Sequence, residues 1–221
     1  RLIKAARGAS GAPITTVEAS RGIKPRAAQD DGHDHGHGHS HSHDGDATDP
    51  HAWQSVANAL VYVANIRDAL IAADPDGSET YRANAERYGA ELTALEQEVM
   101  AAVAKIPAPR RKVISSHDAF GYFADRYGIA FIAPQGVSTE AEPSARAVAA
   151  IIRQIRQQKI PAVFLENMTD PRLARRIASE TGATIGGTLY ADSLTAENGD
   201  APTYIAMVRH NIKALASALA D

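Results

Sequence analysis

A chain of 221 residues with 44% hydrophobic residues and a net charge of -3 carries enough apolar material for a substantial core, as one large domain or two small ones. Acidic residues outnumber basic ones, 26 to 23, so the clustered Lys and Arg that a phosphate backbone requires are missing and nucleic acid is excluded as a partner. Cysteine is absent, which removes disulfides and thiolate ligands and leaves any metal to imidazole and carboxylate.

No apolar run approaches the ~20 residues needed to cross a bilayer, so the expectation is a soluble protein. Residues 1–10 carry no apolar leader and begin as if within a helix, which leads us to expect an upstream portion. The β-branched stretch 15–19 predicts a short strand, and residues 20–48 turn polar, Gly-rich and His-rich, which predicts a loop. Asp49 and Pro50 then form a helix start, Asp as cap and Pro in the first position, leading into an apolar period of three and four that ends near Asp74.

A second start at residues 74–78 precedes a helical pattern built on Tyr81, Ala85, Tyr88, Leu92, Leu95, Val99 and Val103 and running to Lys105. A helix of ~28 residues would be ~42 Å long and could act as a strut between two lobes. Beyond residues 107–111, short apolar runs alternate with helical ones, which predicts a parallel α/β sheet. Its strands are expected at 113–116, 130–132, 162–165 and 184–185, with helices at 118–127, 144–158, 171–181 and 203–219. Ligands of such sheets sit beyond the carboxyl ends of the strands, so those loops hold the candidates.

Of nine histidines, six stand in the low-complexity run: His33, His35, His37, His39, His41 and His43. Alternating with Gly, Ser and Asp on a chain without fixed geometry, they predict weak binding of several zinc, copper or nickel ions. The remaining three differ in setting. His117 follows a strand and precedes a helix, so it is a candidate ligand, the ordinary alternative being a helix cap. His51 opens a helix, where a ligand and an exposed first-turn residue are equally compatible with the sequence. His210 lies inside the last helix and reads as a packing or surface residue. Among carboxylates, Asp192 follows the last strand and Glu166 ends the one before it; spacing alone does not choose between them.

Taken together, the stretches DPHAW, SSHDAFGYFADRYGI, EAEPSA, VFLENMTDPRLARRIASETG and TLYADSL resemble the metal-specific substrate-binding proteins of ABC importers for zinc and manganese, over residues 49–221. The resemblance implies two α/β lobes with parallel sheets flanked by helices, joined by one long helix, with one metal ion in the cleft between them. The chain would then divide into residues 1–74, an incomplete first lobe with the His-rich loop at 31–48; residues 75–106, the linking helix; and residues 107–221, the second lobe. By motif, His51, His117 and Asp192 correspond to metal ligands, and Glu166 to a position beside the cleft that does not touch the ion. The family's first histidine ligand would lie upstream of residue 1, so the fourth position goes to it, to water or to a loop histidine.

Zinc-type members usually carry histidine where His117 stands and manganese-type members glutamate, and a His-rich run before DPH is typical of the zinc type. The resemblance therefore implies zinc as transported cargo, a location in the periplasm, and a membrane permease as partner. A periplasmic zinc chaperone as a further partner and a monomeric state are also expected. Zinc suits two imidazoles and a carboxylate in a tetrahedron, and affinity should fall as pH drops through ~6.5, the ordinary histidine value. Two alternatives remain: a manganese or iron carrier of the same build, and a zinc hydrolase with Glu166 as general base.

Overall fold

The computed structural model describes residues 15–28, 48–137 and 143–220. The six histidines at positions 33–43 lie outside them, as does part of the EAEPSA stretch. Residues 15–19 form no strand: residues 15–18 have no regular structure and a turn covers 19–22. A few β-branched residues without a neighbouring strand gain too little to hold an extended pairing.

Two long helices come first, α1 (Val56–Ala73) and α2 (Ser78–Ala104), joined by a short turn of 3-10 helix at Pro75–Gly77. Asp49 is not the cap of α1; Ser55 fills that role by accepting from Asn58 N at 3.4 Å, after a 3-10 turn at Ala52–Gln54. The expectation about membrane spans also needs correction, because the 18 residues of α1 are long and apolar enough to cross a bilayer by length and composition. That is weak evidence of a span. Here α1 packs on α2 and contributes Val56 and Ala59 to the core, while Ile66 and Leu70 face outward.

A four-stranded, wholly parallel sheet follows, β1 (Lys112–Ile114), β2 (Ala130–Ile132), β3 (Ala162–Glu166) and β4 (Thr184–Leu189), in the order β2-β1-β3-β4. The connecting helices are α3 (Gly121–Tyr127), α4 (Ala145–Gln158) and α5 (Pro171–Thr181), and α6 (Tyr204–Leu219) comes last. Pleating divides the strand residues between two cores. Val113, Ala162 and Phe164 face α2, α3 and α6, whereas Ile114 and Val163 face α4 and α5. One sheet is present among the described residues.

The last strand is longer than its sequence suggested, because Gly186 and Gly187 lie within it. Register runs Val163 to Ile185 and then Leu165 to Thr188, so one extra residue is accommodated on β4. Gly187 takes φ 115°, open to glycine, and a side chain on Gly186 would collide with the Phe164 ring. Beyond this bulge Leu189 regains the core, and the chain leaves the sheet toward Asp192.

The expected linking helix contributes directly to this core. Leu92, Leu95, Val99 and Val103 of α2 are buried against the sheet lobe together with Glu96. Tyr127 bridges the parts, donating its hydroxyl to Glu96 Oε2 and accepting from Val56 N at 3.1 Å.

Candidate metal centre

The strand order reverses between β1 and β3, the position at which loops part and a ligand can enter. His117 lies just past β1, Glu166 ends β3 and Asp192 follows β4. From the other side the 3-10 turn carries His51 into the same space. His51 and His117 are 3% and 1% exposed, while the Asp192 side chain keeps 32% of its surface open to solvent.

One ligand atom from each of His51, His117 and Asp192 lies within 4.8 Å of the others. His51 Nε2 is 3.3 Å from Asp192 Oδ1, and His117 Nε2 is 3.1 Å from Asp192 Oδ2. Each imidazole thus pairs with a different oxygen of Asp192, and the three groups are close enough together to hold one metal ion. His117 Nε2 is buried and faces Asp192 Oδ2 at 3.1 Å, its nearest polar counterpart on that side of the ring.

Each imidazole is held from behind by a carboxylate. Asp49 Oδ1 accepts from His51 Nδ1 at 2.8 Å and from His51 N at 2.9 Å; Glu166 Oε2 accepts from His117 Nδ1, and Glu166 Oε1 accepts from Ser116 N at 2.7 Å and His117 N at 3.1 Å. A carboxylate can only accept, so Nδ1 carries a proton in both rings and Nε2 is the atom turned to Asp192. Glu166 thus supports His117 from behind. Both its oxygens are engaged at the edge of the ring opposite Nε2, so it is not placed to activate a water on a metal held there.

Asp49 is the residue that sequence reading mistook. An Asp two positions before the histidine can accept from both its backbone and its ring, a local pairing that a helix-cap reading hides. Gln54, Trp53 and Asn211 also went unremarked. Ala191 O accepts from Trp53 Nε1 at 3.0 Å and Gln54 Nε2 at 2.9 Å, which fastens the loop before Asp192 to the turn carrying His51. Asn211 braces Tyr190, accepting from its N at 2.9 Å and donating to its O at 2.8 Å. His210 bonds through Nε2 to Thr188 O and packs on Tyr190, away from this group.

The clustered imidazoles and carboxylates shift one another's protonation. For His51 and His117 burial opposes protonation, but hydrogen bonds and charge attraction from Asp192 and from Asp49 or Glu166 outweigh it and raise both to about 9. Burial likewise works against the Asp192 charge, and the two imidazoles override it, holding the carboxyl well below its ordinary value. Both imidazoles therefore hold their protons to higher pH than an ordinary histidine.

Comparison with known proteins places this site in context. The chain is 39% identical over 167 residues to the iron-binding protein YfeA of Yersinia pestis and 34% identical over 176 residues to the manganese-binding lipoprotein MntA of Halalkalibacterium halodurans. These alignments cover 76% and 80% of this chain, but 54% and 59% of the relatives, so the chain spans little more than half their length. Among solved structures, the manganese-bound periplasmic metal-binding protein from Candidatus Liberibacter asiaticus superposes with a TM-score of 0.78 at 29% identity, covering 95% of this chain and 72% of that one. The periplasmic zinc-binding protein TroA of Treponema pallidum gives 0.76 at 31% identity, covering 79% of this chain and 65% of that one. The sequence profile of the ZnuA family, described as zinc-uptake complex component A, periplasmic, matches residues 1–218, and the chain belongs to that family of periplasmic metal-binding components of ABC transporters.

Proposed function

We propose that the protein captures a single zinc ion outside the cytoplasmic membrane through His51, His117 and Asp192 and delivers it to the membrane permease of an ABC importer. No reaction is catalysed. The observation that carries this reading is the pair of buried imidazoles, each turned by its own carboxylate so that both Nε2 atoms meet Asp192. Two nitrogens and one oxygen suit zinc better than a hard cation such as manganese, which favours carboxylate-rich sites. A fourth ligand comes from an upstream histidine, from water or from the His-rich run. That run, His33 to His43, gathers zinc weakly before the cleft takes one ion tightly, and the carrier acts as a monomer that a periplasmic zinc chaperone can supply.

A manganese or iron carrier is the second reading, because relatives at 39% and 34% identity bear those metals in their names. Competition with a chelator on the complete protein decides between them. Zinc should be held far more tightly than manganese, one tight site should vanish in each of His51→Ala, His117→Ala and Asp192→Ala, and deletion of residues 31–48 should remove only weak sites. A preference for manganese would overturn the choice of metal. Unchanged zinc binding in the three point variants would overturn the site.

A further inference from the structure

Arg26 stands in the segment that leads into the histidine run, and nothing in its local sequence marks it out. In the fold it is wedged between the two ligand-bearing parts. Its carbonyl accepts from Asp49 N at 2.8 Å, its own N–H donates to the Tyr122 hydroxyl at 2.9 Å, and the adjacent Ala27 forms an antiparallel bridge with Thr48. The guanidinium reaches further. Nη1 lies 3.2 Å from Asp49 Oδ2 and 3.9 Å from Asp118 Oδ2, and Nε lies 3.2 Å from Asp125 Oδ2.

These contacts tie the carboxylate that holds His51 to the residue next to His117. Asp49 holds His51 with one oxygen and Arg26 with the other, and Asp118 adjoins His117. The Asp49 side chain is fully buried and that of Arg26 only 20% exposed, so the cation lies where a lone carboxylate would be costly. Room for it depends on Gly121, the first residue of α3, where an added Cβ would collide with the guanidinium. A planar fork can serve carboxylates on two elements at once, which a lysine ammonium on a flexible stem does poorly.

We propose that Arg26 is a positioning residue of the metal site: it fixes Asp49, and through it the His51 ring, against the loop carrying His117, so that the base of the histidine run sets the spacing of the two imidazoles. The inference rests on reading His51, His117 and Asp192 as the metal site. A clamp that served folding alone would leave metal geometry untouched, and that difference is measurable.

The experiment uses the complete protein, with zinc affinity from chelator competition and the visible absorption of bound Co2+ as a reporter of ligand geometry. Arg26→Ala should weaken zinc about tenfold and change the cobalt spectrum, the low end of what losing an outer partner of a ligating histidine costs. Gly121→Ala, which keeps the charge but displaces the guanidinium, should do the same. The double variant Arg26→Ala, Asp49→Asn should be no weaker than Asp49→Asn alone, because both act through one carboxylate. Unchanged affinity and spectrum in Arg26→Ala, or losses that add in full, overturn the proposal; if Arg26→Ala does not fold, Gly121→Ala decides by the same criteria. His51→Ala separates the two readings, since zinc binding unaffected by that change would sink the site itself and not merely the role of Arg26.

Discussion

Zinc should enter this site by displacing protons, and their number follows from the geometry. His51 and His117 are each raised to about 9, so at pH 7 both are mainly protonated. Asp192 is held low and is already ionised, so it releases none. Each zinc bound at pH 7 must therefore expel about two protons, and the logarithm of the apparent affinity should rise by about two per pH unit from pH 7 until it flattens near 9. Between pH 7 and 9 the affinity should gain about three powers of ten. Calorimetric titration of zinc into the metal-free protein, at pH 7 in several buffers of different ionisation enthalpy, counts the protons from the slope of observed against buffer enthalpy. A slope near zero, or an affinity that stays level from pH 7 to 9, would refute the picture of two imidazoliums sharing Asp192.

The same shifts govern the metal-free fold. Because both imidazoles have folded values above the ordinary 6.5, their contribution to stability is complete below pH 6.5 and is lost as pH rises through about 9, so the melting temperature without metal should fall across that window while the zinc-bound form, with no such protons, should not follow it. Glu166→Gln keeps an acceptor for the Ser116 and His117 amides but weakens the bond to His117 Nδ1, and zinc affinity should drop 10- to 100-fold in chelator competition with little change in melting temperature. Tyr127→Phe should do the reverse: it strands Val56 N–H and takes the hydroxyl from Glu96 Oε2, leaving Glu96 to Arg126, at a cost of about 1 to 3 kcal/mol in denaturant unfolding, with zinc affinity within twofold of the unaltered protein.

Much of this molecule is legible as a string. Apolar periods of three to four residues outlined α1 and α2, and short apolar runs alternating with helical ones located β1 to β3, because those patterns reflect burial that each element needs wherever it lies. The placement of His117 and Asp192 beyond strand ends followed from the rule for parallel sheets, while the pairing of both with His51 came from motif resemblance, since spacing left His51 undecided and did not separate Asp192 from Glu166. The strand expected at residues 15–19 failed for want of a partner to pair with, and β4 was cut short at Ile185 because paired glycines look like a turn when their bulge cannot be seen.

What only the tertiary structure decided is which polar residues meet across long separations. Asp49 could be a cap or a histidine's support, and only the burial of His51 beside Asp192 selects the second. Arg26 is one of many basic residues until Asp49, Asp118 and Asp125 converge on it. The elevated histidine values belong to the same class, for they arise from charges brought together out of water. Sequence sets the local preference of each segment, but hydrogen bonding and proton affinity depend on neighbours that only the folded chain supplies.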